Sequence, residues 1–322
     1  MVDNKKIVLI IFSLLILVAG AVFVARNFIN QVPDFAVKDE ETIKKIEFKS
    51  DKGVVSLEKK NEIWVLNGVG VARKDAVKAL LKTLTNIEIK SPVKKEKLNS
   101  ILSGNGIETV QVRISGSLKQ LKKYTVYKVS SNLYGNIMTK GEKESSYINH
   151  LPGYSGDIGV FYTTRLNYWK PHILFDYNIG DISSVELIKG DDPINSYTIS
   201  RNESGSFILG DVDGEALKSA DPGQVTRYLS YFHNIGFEKY VEPESGIFTE
   251  KILQSQALYT IMVKNVQGDV KVVKIYPVFH EESLTETDKN YAYASVSGEN
   301  ELVLVKYFAL DPILKSLDYF FK

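Results

Sequence analysis

Two stretches of the chain carry the same apolar stripe. Val77, Leu80, Leu81 and Leu84 stand at i, i+3, i+4 and i+7, and Val225, Tyr228, Leu229 and Phe232 repeat that spacing. Side chains so spaced share one face of an α-helix. The surroundings repeat as well. Strand-like runs around Ile46, Val55 and Val65 and a turn at Asn67-Gly68 precede the first stripe; runs around Val185, Thr198 and Ile208 and a turn at residues 210–214 precede the second. After the first stripe come Asn86-Ile87-Glu88-Ile89, Pro92, a short helix with Leu98, Ile101 and Leu102, and strands at residues 110–114 and 124–129. After the second come Asn234-Ile235-Gly236-Phe237, Pro243, a short helix near residues 248–253 and a strand at 259–263. This order predicts a divergent tandem duplication with its junction near residues 178–181. Two unrelated α+β domains built from common parts are the competing reading. Ile313, Leu314, Leu317, Phe320 and Phe321 form an amphipathic pattern in the tail that should dock on the second lobe, and the low positive charge there argues against a membrane-surface helix.

Residues 7–25 read IVLIIFSLLILVAGAVFVA without a charge. At about 1.5 Å per residue a helix of that length nearly matches a hydrocarbon core of roughly 30 Å. Lys5 and Lys6 before the run and the lone Arg26 after it place the N-terminus in the cytoplasm. A cleavable signal peptide ending near Ala19-Gly20-Ala21 competes, but the apolar run continues through Val22, Phe23 and Val24, beyond a usual signal core. The sequence therefore predicts an α+β protein with an N-terminal transmembrane helix followed by two similar lobes of mostly antiparallel sheet with packed helices. The expected divisions are a cytoplasmic tip and transmembrane anchor at 1–26, a connector at 27–38, a first repeat at 39–180 and a second at 181–322. The expected placement is the bacterial inner membrane, single-pass, with the body periplasmic and the bilayer a partner of residues 7–25.

Composition narrows the chemistry. Forty Lys and Arg against 39 Asp and Glu leave a net charge of +1, without the basic field that nonspecific nucleic-acid binding needs. No cysteine is present, so disulfides, thiolate metal sites, a cysteine nucleophile and a lipoprotein-type anchor are excluded. The four histidines (His150, His172, His233 and His280) form no HExxH pair, because His280-Glu-Glu-Ser-Leu284 lacks the second imidazole. There is no GxSxG elbow, Walker loop or dinucleotide loop, so no catalytic residue, cofactor or metal is expected. Asp211-Val-Asp213-Gly214-Glu215 imitates part of a calcium loop, but its position before the second stripe reads as a strand-to-helix turn. Asp221-Pro222 suits a helix N-cap with Pro at N1. Asn202-Glu-Ser204 is formally a glycosylation sequon, and Lys119, Lys122, Lys123 and Lys128 read as a solvated strand face. The 18 tyrosines fall partly in aromatic clusters. Tyr168, Trp169, Tyr231, Tyr291 and Tyr293 are the candidates for a partner or ligand surface, with a sheet core as the alternative place for such residues.

Several short motifs together resemble bacterial proteins carrying domain of unknown function 4340. They are Asp34-Phe-Ala-Val37 after the apolar run, Trp64-Val-Leu-Asn-Gly68, Asp75-Ala-Val-Lys-Ala-Leu-Leu81, Ser91-Pro-Val93, His150-Leu-Pro-Gly-Tyr154 and Phe175-Asp-Tyr-Asn178. The similarity covers most of residues 34–200 and more loosely the second half. The resemblance implies an envelope-facing protein, in some relatives associated with transporter-like or gliding-motility-like gene sets, and it carries no catalytic residues. Trp64 then reads as a core anchor, Asn67-Gly68 as a turn and Pro152-Gly153 as a loop corner. The expected function is a non-enzymatic single-pass envelope protein with an extracytoplasmic protein-binding body, an accessory of a membrane transport or surface assembly. An exported glycan or small-ligand binding module is the alternative, and an exported hydrolase ranks last.

Overall fold

The computed structural model describes residues 13–20, 34–103, 107–129, 136–141, 145–217, 219–241, 246–280 and 283–321. The chain divides into two compact units, Met1–Lys170 and Pro171–Lys322.

Unit 1 has nine strands: β1 (Lys45–Ser50), β2 (Gly53–Lys60), β3 (Ile63–Leu66), β4 (Gly70–Val71), β5 (Glu88–Val93), β6 (Glu108–Ser115), β7 (Gln120–Lys128), β8 (Asn136–Thr139) and β9 (Ser146–His150). They form one sheet in the order β4-β3-β2-β1-β6-β7-β8-β9-β5, with every pair antiparallel. Helix α1 (Lys74–Asn86) lies between β4 and β5 in sequence, and α2 (Lys95–Leu102) between β5 and β6. Alternation sets the face each side chain takes. Ile46 and Phe48 on β1 and Val110, Val112 and Ile114 on β6 are buried, while Gln111 and Arg113 between them are exposed. All four residues of the first stripe are buried on α1.

Unit 2 opens with β10 (Ile173–Phe175), β11 (Ile182–Lys189), β12 (Tyr197–Arg201), β13 (Phe207–Gly210) and helix α3 (Pro222–Ser230). Next come β14 (Ile235–Gly236), β15 (Lys239–Tyr240) and helix α4 (Gly246–Gln254), then β16 (Tyr259–Asn265), β17 (Val270–His280), β18 (Ser283–Val296) and β19 (Val303–Lys306). The main sheet runs β13-β12-β11-β16-β17-β18-β19-β15, and β10 pairs with β14 apart from it. This is the order of unit 1 without the edge strand β4, with α3 and α4 inserted where α1 and α2 are. The second stripe is buried in full. The N-cap of α3 is as its residues dictate: Asp221 accepts from Gly223 N at 2.7 Å and Pro222 occupies the first turn.

In each unit the first and last segments clamp the same helix. Val37 N donates to Leu84 O at 2.8 Å, and Tyr177 N donates to Phe232 O at 2.9 Å, so an entering strap satisfies a carbonyl in the last turn of α1 and one two residues past the end of α3. At the other end, the N-cap residues Arg73 and Asp221 donate backbone N–H groups to Trp169 O at 2.7 Å and to Phe320 O at 2.8 Å. Trp169 and Phe320 are both fully buried. The expected tail helix is a short 3₁₀ turn, Leu317–Phe321, and it docks on unit 2 through Phe320.

The transmembrane expectation is corrected here. Of the apolar run only residues 13–20 are described, and they are helical. Among the described residues no helix is long and apolar enough to cross a membrane. The rest of the run lies outside the described residues. The fold class therefore reduces to mostly antiparallel sheet with packed helices, without the N-terminal transmembrane helix, the signal-anchor or the single-pass inner-membrane placement that rested on it.

One charged feature of unit 1 is testable by pH. Glu108 is flanked by Lys128 at 3.2 Å and Lys52 at 3.4 Å. Burial pushes its pKa up, but the hydrogen bond and charge of Lys128, helped by Lys52, outweigh this and hold it below 4.5. A depressed carboxyl stabilises the fold above its unfolded pKa, and that contribution is lost as pH falls through the folded value. Glu108→Gln should therefore cost up to about 1 kcal/mol at neutral pH, with the difference from the parent shrinking below about pH 4.5 in denaturant titrations.

Candidate functional site

The five aromatic candidates do not converge. Trp169 lies in the core of unit 1, stacked on Phe48 at 5.6 Å, with its indole N–H donating to Thr163 O at 2.9 Å. Tyr168 packs edge-on against it and carries the Arg73 guanidinium over its ring at 4.9 Å. In unit 2, Tyr231 is half-buried, packed against the core. Tyr291 and Tyr293 share the face of β18 turned away from the core, because Ala292 between them and Ala294 after them are buried. Tyr293 stands opposite Tyr276 and Leu304, and Tyr291 opposite Lys306, whose ammonium lies 5.9 Å from its ring centre.

Two of the histidines have structural partners. His233 Nδ1 lies 2.9 Å from Asp176 on an exposed turn, and the same Asp176 oxygen accepts from Asn234 N. The ring of His172 stacks on Phe237 at 4.8 Å, with Nδ1 3.1 Å from Glu238 O. Asp211 accepts from the backbone N–H groups of Asp213 and Glu215, which closes a turn before α3 and accounts for the loop that imitates a calcium site. Among the described residues no group of three or more His, Asp or Glu side chains could hold a metal ion. In a small cavity of about 150 Å³ burial draws the Lys271 ammonium below its ordinary pKa, with Glu299 opposing. There, burial and the charges of Glu299 and Glu301 push the Tyr240 hydroxyl up to about 12.

The two most exposed large apolar side chains described in unit 2 lie at one end of its sheet, where β11, β17 and β19 finish. Ile194, in the single 3₁₀ turn Pro193–Asn195 after β11, is 85% exposed, and Phe308, in the turn Tyr307–Leu310 after β19, is 86% exposed. Between them β17 runs past its neighbours. Its pairing with β16 stops at Ile275, and β18 pairs with β19 only from Tyr291 to Ala294. Beyond those points β17 and β18 form a two-stranded arm with no strand along either edge among the described residues. Two local devices shape it. Ile275 O accepts from Leu258 N on the β16 side, so Pro277, two residues on, presents its missing N–H to that same side, where no neighbouring strand needs it. Asp288 accepts from Asn290 N and Tyr291 N at 2.7 and 3.0 Å, building the bulge at which the register shifts from Pro277↔Ala292 to Phe279↔Thr287. Phe279, on the arm, is 43% exposed.

The same end of unit 1 carries the Lys52–Glu108–Lys128 cluster instead. Sequence reasoning missed the apolar end of unit 2. The signal available was an isolated Ile194 set between Asp191-Asp192-Pro193 and Asn195, an apolar residue in a turn-forming segment. Comparison with known proteins adds no relative: no family model, curated protein or solved structure matches the chain.

Proposed function

We propose that the chain is a non-enzymatic binding protein that engages a protein partner through the end of the unit 2 sheet bearing Ile194, Phe279 and Phe308. The observation that carries this reading is that the two large apolar side chains of unit 2 that are more than four-fifths exposed, Ile194 and Phe308, stand on turns at the same end of the sheet as the unpaired arm bearing Phe279. Exposed apolar side chains grouped in this way mark interaction surfaces, and aromatic residues are favoured anchors at such sites. The arm adds a second mode of attachment, because an unpaired strand edge can accept a strand of the partner. The resemblance to domain of unknown function 4340, which brings no catalytic residues, is in keeping with binding rather than turnover.

A photo-crosslinking side chain placed at Phe308 or Ile194 should join covalently to one partner protein, while the same group at Leu118, fully exposed in unit 1, should not. Equal adducts at all three positions, or none at Phe308 and Ile194, would reject the surface. With that partner purified, the double variant Ile194→Glu, Phe308→Glu should lose at least about tenfold in affinity. Its melting temperature should hardly move, because exposed substitutions cost within about 0.5 kcal/mol.

A further inference from the structure

Helix α2 of unit 1 is amphipathic, yet none of its residues is fully buried. It lies over the sheet face opposite to the one that packs on α1, and a cleft of about 300 Å³ separates it from that face. The floor is made by Tyr127, Thr139 and Ser146, from the neighbouring strands β7, β8 and β9; the wall is made by Leu98, Asn99 and Leu102 of α2. Leu102 remains 36% exposed. Unit 2 supplies an internal comparison. Counting along β17 from the core residue Ile275, the register partner of Ala294, Tyr276 holds the position that Tyr127 holds after Val126, the register partner of Met138. Tyr276 is only 2% exposed, whereas Tyr127 is half-buried and lines the opening. One topology thus has the site closed in one unit and open in the other.

We infer that this cleft binds a small hydroxylated ring, the chemistry of a sugar. The lining offers hydroxyls from Thr139 and Ser146 and a carboxamide from Asn99, groups that both donate and accept, with Lys95 beside them as a further donor, and it contains no carboxylate. Thr139 donates its hydroxyl proton to Gly141 O at 2.8 Å, which leaves its oxygen lone pairs to accept from a ligand hydroxyl. The leucines and the Tyr127 ring supply apolar surface for the C–H face of such a ring. The volume is at the small end of the roughly 300–1,000 Å³ typical of ligand sites. The inference is independent of the partner surface, which lies in the other unit.

The test is a titration of the full chain with glucose, galactose and N-acetylglucosamine in turn, followed by backbone amide shifts. At least one sugar should shift the amides of Leu98, Asn99, Thr139 and Ser146 with a millimolar or tighter dissociation constant. Leu98→Trp, which fills the cleft, should abolish those shifts, and Asn99→Leu, which keeps the volume and removes the amide, should weaken binding at least tenfold. An unchanged amide spectrum elsewhere certifies that each variant is folded. No shift with any of the three sugars, shifts that survive Leu98→Trp, or binding of octanoate in place of all three would overturn the assignment.

Discussion

Leu80→Asp is expected to unfold unit 1. Leu80 is fully buried at the centre of the α1 stripe, among Val77, Leu81 and Leu84. The substitution forfeits about 1.5–3 kcal/mol of apolar burial, and it adds the cost of a carboxyl with no partner in an apolar setting, met either by ionising in low dielectric or by taking up a proton. Against a typical total of about 5–15 kcal/mol for a folded domain, the sum removes most or all of the stability. Leu80→Met keeps volume and polarity and should cost less than about 1.5 kcal/mol. Near-ultraviolet circular dichroism with thermal denaturation separates the two. A Leu80→Asp protein that retains the parent's signal and melting temperature would mean that the stripe does not face the core.

Trp169→Ala should cost about 3–5 kcal/mol, the range for truncating a large buried aromatic. Three contacts converge on this residue. Its ring stacks on Phe48, its indole N–H satisfies Thr163 O, and its own carbonyl receives the N–H of Arg73 at the start of α1. Phe320 receives the N–H of Asp221 in the same manner, and its ring packs edge-on against Tyr197 at 5.0 Å and Tyr228 at 5.2 Å. Phe320→Ala should therefore destabilise unit 2 to a similar degree; the two residues close the same short pattern, Leu166-Asn-Tyr-Trp169 and Leu317-Asp-Tyr-Phe320. Urea titrations of both variants measure the cost. A loss below about 1 kcal/mol in either would show that the C-terminal clamp contributes little there.

The parts legible in the sequence are those that depend on local periodicity. The α1 and α3 stripes follow from a 3.6-residue repeat, and the alternation along β1, β6, β11 and β16 from a period of two. The clamps were not legible, because a backbone N–H meeting a carbonyl some 96 residues away in chain order, as from Arg73 to Trp169, leaves no spacing rule in the sequence. Tyr168 and Trp169 show the same difficulty from another side. Aromatic residues serve cores and surfaces alike, so their clustering marked them as surface candidates, whereas the stack on Phe48 fixes Trp169 inside. The arm gives no sequence signal of its own: Pro277 is a residue type that argues against a central strand, and here it sits on an edge with no neighbouring strand among the described residues. The apolar run at residues 7–25 reads as a membrane span from hydropathy alone, whereas among the described residues no helix is long and apolar enough to cross a membrane.

Hydrogen–deuterium exchange with and without the crosslinked partner tests the central claim most directly. Binding should slow exchange at Ile194 and Asn195, along the arm at Val278, Phe279 and Thr287, and at Phe308, while the Lys52–Glu108–Lys128 end of unit 1 stays unchanged. Partner-induced protection confined to other surfaces, with the amides of the arm and both turns exchanging as fast as in the free protein, would contradict the account.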